Sequence, residues 1–290
     1  MDRIDLHIHT WASDGKHSPR GVVQLARQQG LRAIAITDHD CVNGIEEALQ
    51  AGKDEGIEVI PGIELSVQYK HFKDVHILGY YLSWTEPRLQ EDLAAFQQRR
   101  LERGEKMISK INLQLLREGR KAVLDYQEVL REAKGAVGRP HLARKLVEKG
   151  SATTHDEAFA RYLLPNNIPK AKLSPQEAIL LIREARGLAV LAHPNLVSSD
   201  LRVQEELIGE FRSLGLEGIE SIYLGCRPED AQLYRRLSQA WNLLVTGGSD
   251  FHGDEARGDL GMTFSSQPLN YPLVERLKER YLTVYGELPQ

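Results

Sequence analysis

The chain has 290 residues, a net charge of −4 and a sequence pI of about 6.2, long enough for one large α/β domain, with or without an insert, and a sizeable buried core. Hydrophobic residues make up 41% and charged residues 27%, an ordinary globular balance that excludes a bulk basic surface for coating duplex nucleic acid. The opening Met1-Asp2-Arg3-Ile4-Asp5 is not a secretory signal, and no apolar run approaches the roughly 20 residues that span a bilayer, so no membrane attachment and a cytoplasmic location are expected.

Residues 4–8 read as a short strand leading into His7-Ile8-His9. Ser18-Pro19 then opens a helix, with Ser at the N-cap and Pro in the first turn; Val22, Val23, Leu25 and Ala26 supply its apolar face and Gly30 ends it. Residues 33–37 form a second strand, followed by Asp38-His39-Asp40. Asn43 is expected to cap a helix running to Glu55 and stopped by Gly56. Residues 58–61 read as a third strand, with Glu64 just past it, and residues 75–82 as a fourth that contains His76. This alternation is what a parallel sheet requires.

Residues 86–172 break the rhythm with helices at 88–118, 126–134, 140–149 and 155–162. The charged run Gln97-Gln98-Arg99-Arg100-Leu101-Glu102-Arg103 reads as a solvated helix face. The block is expected to be an all-helical, substrate-capping insert between residues 1–85 and 173–290, with Pro165-Asn166-Asn167-Ile168-Pro169 as the return linker. Alternation then resumes: a helix opened by Ser174-Pro175 and ended by Gly187, a strand at 188–192, a helix at 202–214, a strand at 217–222, a helix at 228–240, a strand at 243–246 and a closing helix at 273–280. Seven strands with helices between them predict a barrel-like parallel sheet, whose active site lies at the carboxyl ends of the strands.

Nine metal-binding side chains fall at those strand ends: His7, His9, Asp14, His39, Glu64, His76, His193, Asp250 and His252. Residues two apart on a strand share a face, so His7 and His9 make a natural start for a metal site. His-x-His alone also suits two core histidines, and a lone Glu after Pro-Gly is weaker still. The concentration of nine such residues in short segments is what favours a metal centre. Nine ligands exceed what one metal needs and suit three, with bridging carboxylates. Mixed imidazole and carboxylate donors suit Mn2+, with Fe2+ or Zn2+ as alternatives. Phosphate esters, whose charge several cations neutralise, are the matching substrate class. Cys41 and Cys226 form no CxxC pair and are expected to be reduced thiols.

The segments Asp5-Leu6-His7-Ile8-His9-Thr10, Ser13-Asp14-Gly15, Thr37-Asp38-His39-Asp40, Pro61-Gly62-Ile63-Glu64, His76-Ile77-Leu78-Gly79-Tyr80, Ala192-His193-Pro194 and Gly248-Ser249-Asp250-Phe251-His252 resemble the motif set of the PHP family, the polymerase and histidinol phosphatase domains. The resemblance covers residues 1–84 and 173–255. It implies a distorted seven-stranded (β/α) barrel with a trinuclear site. Carried over, His7, His9, Glu64 and Asp250 would hold one metal, a bridging Glu64 with His76 and His193 a second, and Asp14, His39 and His252 the third. Some relatives have a histidine where this chain has Asp14. Glu64, His193 and Asp250 are the expected catalytic residues. Asp38 and Asp40 are implied to shape loops or orient ligands, a helix or turn cap being the alternative. Tyr223 and Arg227, after the sixth strand, could line the pocket but suit surface or packing roles better, and His17, His71 and His155, outside the motifs, read as surface residues.

The insert motif Gly138-Arg139-Pro140-His141-Leu142-Ala143-Arg144 is similar to that of a subgroup that removes the 3′-phosphate of nucleoside 3′,5′-bisphosphates or trims short RNA from the 5′ end. That similarity implies a metal-dependent hydrolase acting on a nucleotide or short RNA through a hydroxide on the metal centre. Arg139, just before a Pro-led helix, is placed to meet an anion together with His141; a tie between insert and barrel is the alternative. Histidinol-phosphate phosphatase, metal-dependent amidohydrolase and non-catalytic PHP scaffold stay open as alternatives.

Overall fold

The computed structural model describes residues 2–133, 138–169, 172–253, 259–262 and 269–288. The chain divides into two units, Met1–Glu91 with Lys172–Gln290, and Asp92–Ala171. Seven strands form one sheet in sequence order: β1 (Arg3–Ile8), β2 (Leu31–Ile36), β3 (Glu58–Tyr69), β4 (Phe72–Tyr80), β5 (Leu188–Leu191), β6 (Gly218–Tyr223) and β7 (Leu244–Gly248). Beyond β7 the chain returns to β1. Ile8 bridges Phe251 in parallel and the His9 N–H donates to the Phe251 carbonyl, which nearly closes a barrel.

The helices are α1 (Pro19–Gln28), α2 (Ile45–Glu55), α3 (Pro87–Arg117), α4 (Tyr126–Ala133), α5 (Arg139–Glu148), α6 (His155–Ala158), α7 (Pro175–Glu184), α8 (Pro194–Val197), α9 (Leu201–Ser213), α10 (Pro228–Trp241) and α11 (Pro272–Tyr285). The expected end of the second insert helix, Lys134, lies outside the described residues.

The distorted α/β barrel agrees with the expectation, but the sheet is not wholly parallel. β1–β2, β2–β3, β5–β6 and β6–β7 pair in parallel, whereas β4 runs antiparallel to both β3 and β5. Only Lys70 and His71 separate β3 from β4. Two residues suffice for a hairpin, while a parallel neighbour needs a crossover of a dozen residues or more. The same hairpin extends β3 far beyond the strand expected at 58–61.

Side-chain alternation sets the two faces of the sheet. Ala33 and Ala35 of β2 join Ile4, Leu6, Ile60, Leu78 and Val190 in a core sealed by Val274, Leu277 and Tyr281 of α11. Ile34 and Ile36 face the other way, against Val22, Val23 and Ala26 of α1 and Ala48 and Ala51 of α2. Ser18 caps α1 as read, its hydroxyl accepting from the Gly21 N–H. Asn43 does not cap α2: Gly44 occupies the cap with helical dihedrals, and Asn43 is exposed. A Cβ at Gly44 would lie 3.0 Å from Asp38 Oδ2, so the start of α2 is fixed by close approach rather than by a side-chain cap.

In the helical unit, Met107, Ile108 and Ile111 of α3 pack with Leu142 and Leu146 of α5 and with Tyr162. α6 continues as a π-helical turn, Phe159–Leu163. The charged run on α3 is not uniformly solvated. Arg103 is 8% exposed because it shares a helical face with Phe96 and Met107, seven residues before it and four after. Its guanidinium donates to the Ile168 carbonyl and to Asn167 Oδ1.

Candidate metal centre

β1 delivers His7 and carries the chain on to His9, both wholly buried, with ring centroids 5.2 Å apart. His39 follows β2, His76 lies within β4, His193 follows β5, and Asp250 and His252 follow β7. Glu64 was expected just past the third strand. It lies instead in the middle of β3, paired with Leu78 of β4 and bridged to His39, because the hairpin prolongs that strand. His193 and Asp250 hold positive φ angles of 28° and 54°, uncommon for residues with a side chain and typical of functional turns.

These residues converge around Glu64. Its Oε2 lies 3.4 Å from His7 Nε2, 3.2 Å from His9 Nε2 and 2.9 Å from His39 Nδ1. Asp250 Oδ1 lies 3.5 and 3.1 Å from the same two nitrogens of His7 and His9. The other carboxylate oxygen, Glu64 Oε1, lies 3.1 Å from His76 Nδ1 and 3.0 Å from His193 Nε2, which are 3.4 Å apart. A further group forms around Asp14, whose oxygens lie 3.8 Å from His9 Nδ1, 3.9 Å from His39 Nε2 and 3.3 Å from His252 Nε2. All nine residues singled out in the sequence thus come together. Two sit closer to a neighbouring group than the carried-over sets imply: His39 approaches Glu64 and His76, and His9 approaches Asp14.

The donor set fits cations. Among the described residues, His7 Nε2, both ring nitrogens of His9, His39 Nδ1 and Glu64 Oε2 are buried polar atoms without a hydrogen bond. Such atoms are costly unless something else satisfies them, and their mutual approach points to metal ions. The electrostatics agree. Burial opposes charge on His9, yet Asp250 and Glu64 outweigh it and raise its pKa to about 10. Burial likewise opposes charge on Asp14 and Asp250, but their histidine neighbours hold both well below the usual carboxylate range. Without a cation, protons on His7 and His9 balance the neighbouring carboxylates. A metal would replace those protons.

Carboxylates outside the groups fix the loops. Asp38 accepts from the Thr10 N–H at 2.7 Å, the Thr10 hydroxyl at 2.7 Å and the Ser13 hydroxyl at 2.6 Å, holding the segment that carries Asp14. Asp40 accepts from the N–H and hydroxyl of Ser66. Asp5 accepts from the N–H groups of His7, Ser249 and Gly261 and from the Ser249 hydroxyl. Glu220 of β6, not singled out in the sequence, accepts from the His193 N–H and lies against His7. A lone carboxylate inside an apolar strand was the available signal.

Tyr223 packs, its hydroxyl bonded to Asn195, and Arg227 pairs with Asp230. His17, His71 and His155 are exposed. Cys41 is a buried loop thiol that accepts from the Asn43 N–H. Arg139 and His141 belong to the helical unit, on the first turn of α5, where His141 Nδ1 accepts from the Gly138 N–H. Burial, then the charges of Arg139 and Arg100, lower the pKa of Arg103, so three guanidinium groups share one neighbourhood in that unit.

Comparison with known proteins agrees with this geometry. The PHP domain family matches residues 5–189. A 5′-3′ exoribonuclease of Haemophilus influenzae is 34% identical over 257 residues, covering 86% of this chain and 90% of its own. A 3′,5′-nucleoside bisphosphate phosphatase of Chromobacterium violaceum is 31% identical over 289 residues, covering 97% and 99%. A Bifidobacterium adolescentis protein, assigned as a metal-dependent phosphoesterase, superposes with a TM-score of 0.79 at 28% identity and covers 98% of each chain. No described helix is long and apolar enough to cross a membrane. A family match over more than half the chain, together with relatives aligned along nearly its full length, establishes that the chain belongs to the PHP domain family.

Proposed function

We propose that this PHP phosphoesterase, a hydrolase of phosphoric ester bonds, removes the 3′-phosphate of nucleoside 3′,5′-bisphosphates and trims short oligoribonucleotides from the 5′ end. The reading of a multinuclear centre is carried by one observation: the two oxygens of Glu64 face different sets of imidazoles. That is the arrangement a bridging carboxylate needs. His7, His9, Glu64 and Asp250 would hold one divalent ion, Glu64, His76 and His193 a second, and Asp14, His39 and His252 a third, with Mn2+ the expected metal. When bound, such ions supply an activated water nucleophile and neutralise charge on the phosphoryl oxygens.

The chain's own residues set the rest. Glu64 and Asp250 both face the imidazoles of His7 and His9, and His193, 4% exposed, meets the other oxygen of Glu64. The nucleotide preference is supported by the two curated relatives. Arg139, with His141, is assigned to an anionic group of the substrate that does not react, a task suited to a planar guanidinium.

The test is a phosphate-release assay of the Mn2+-loaded protein over adenosine 3′,5′-bisphosphate, mononucleotides, short oligoribonucleotides and histidinol phosphate. The bisphosphate ranks first and Asp250→Asn is inactive. Faster release from histidinol phosphate would replace the nucleotide reading with a small-phosphomonoester one. No release from any phosphoester would leave a binding scaffold.

A further inference from the structure

Glu220 is the only charged residue of β6 and is fully buried. A carboxylate removed from water is strongly destabilising unless donors surround it. Two are placed to do so. The backbone N–H of His193 donates to Oε2 at 2.9 Å, and His7 Nδ1 lies 3.0 Å from Oε1. Both partners are candidate ligands, and they belong to different groups. His7 turns its Nε2 toward Glu64 Oε2 and Asp250 Oδ1, while His193 turns its Nε2 toward Glu64 Oε1. One side chain therefore braces two parts of the centre from behind. The brace also meets a strained point, because His193 holds φ 28° and ψ 60°.

We propose that Glu220 is a positioning residue of the metal centre. It keeps the His7 proton on Nδ1, so that Nε2 is the metal-binding atom, and it pins the His193 turn that aims the second imidazole at Glu64. The inference rests on the ligand assignment made under the proposed function. A neutral imidazole carries one N–H, and the nitrogen that does not carry it offers the lone pair. Carboxylates behind ligating histidines commonly settle that choice. His7 Nε2, buried and without a hydrogen bond, is the atom left over for a cation.

A carboxylate can accept from both partners at once, whereas a carboxamide cannot. If the amide oxygen of a Glu220→Gln variant accepts from the His193 N–H, its NH2 group faces His7 Nδ1. The His7 proton is then driven to Nε2, where it blocks metal binding. If the amide turns round, its NH2 group confronts the His193 N–H instead.

Zn2+, which is diamagnetic, is the probe. Long-range 1H–15N correlation spectra of the full-length, zinc-loaded wild type are expected to show His7 protonated at Nδ1 and zinc-bound at Nε2. Chelator competition is expected to show Glu220→Gln losing about 10- to 100-fold in affinity for one zinc ion. Should the variant fail to fold, the wild-type spectrum decides alone. Zinc bound through Nδ1 of His7, or a folded Glu220→Gln that binds every zinc within twofold of wild type, overturns the assignment. Wild-type protein that binds no zinc at all overturns the ligand assignment itself, and this inference with it. That failure is visible before any variant is made.

Discussion

Replacing Asp38 with alanine should both destabilise the protein and disable one metal position. Asp38 is 1% exposed and takes three hydrogen bonds from Thr10 and Ser13, all between 2.6 and 2.7 Å. Ser13 is only half-buried, so water can replace its bond. Thr10 is wholly buried, and its N–H and hydroxyl lose their acceptor together. Each buried donor left unsatisfied costs about 1–3 kcal/mol, which gives about 2–6 kcal/mol for the pair. That is a large part of the 5–15 kcal/mol that typically holds a domain folded. The same loop carries Asp14, so the metal position proposed for Asp14, His39 and His252 should be the first to empty. Urea unfolding of the metal-free protein measures the first effect. Metal counts after dialysis at limiting Mn2+ measure the second. An unfolding free energy unchanged to within about 0.5 kcal/mol (the scatter of neutral surface substitutions), with wild-type metal content, would refute the view that Asp38 holds this loop.

The metal-free protein should lose stability as pH rises from about 6.5 to about 10. The pKa of His9 is raised from an ordinary 6.5 to about 10, so its pairing with Asp250 and Glu64 contributes fully below the lower value and fades toward the higher one. Melting temperatures of chelator-treated protein at pH 6.5 and 9.5 check the sign, and bound Mn2+ should flatten the difference because the cation replaces the proton. Gly15→Ala should lower both the melting temperature and the metal content, since a Cβ there would lie 2.4 Å from the His9 carbonyl oxygen. Wild-type values for both would mean that the loop relaxes freely.

The residues that gather in the candidate metal centre were legible in the sequence because chemistry and topology constrain them separately: His and Asp are scarce in apolar strands, and strand ends lie on one rim. Helix starts were legible where a side chain makes the cap, as at Ser18 and Ser174, and not at Gly44, where a contact distant in sequence decides. The direction of β4 was misread because apolar periodicity is the same for parallel and antiparallel strands, and only the two-residue turn at Lys70 and His71 distinguishes them. Arg103 was misread because its burial depends on acceptors more than 60 residues away, at Asn167 and Ile168. Glu220 escaped notice because its partners, His7 on β1 and His193 just past β5, lie far from it in sequence. Its own neighbours in sequence give no motif.

The junction of β1 with the chain beyond β7 has a consequence for biosynthesis. Asp5 and Ser249, which bond across it, are 244 positions apart in sequence. At roughly 5–20 residues per second, the first strand waits on the order of ten to fifty seconds for its partner to leave the ribosome. His7 and His9 are made almost at once, but Asp250 and His252 are among the last of the proposed ligands to appear. A nascent chain therefore offers a cation only a histidine pair and isolated side chains, and tight binding begins when the barrel closes. With the proposed ligand set, metal loading is a late event, coupled to completion of the fold, and an ion bound early on the pair alone can exchange before the remaining ligands lock it in.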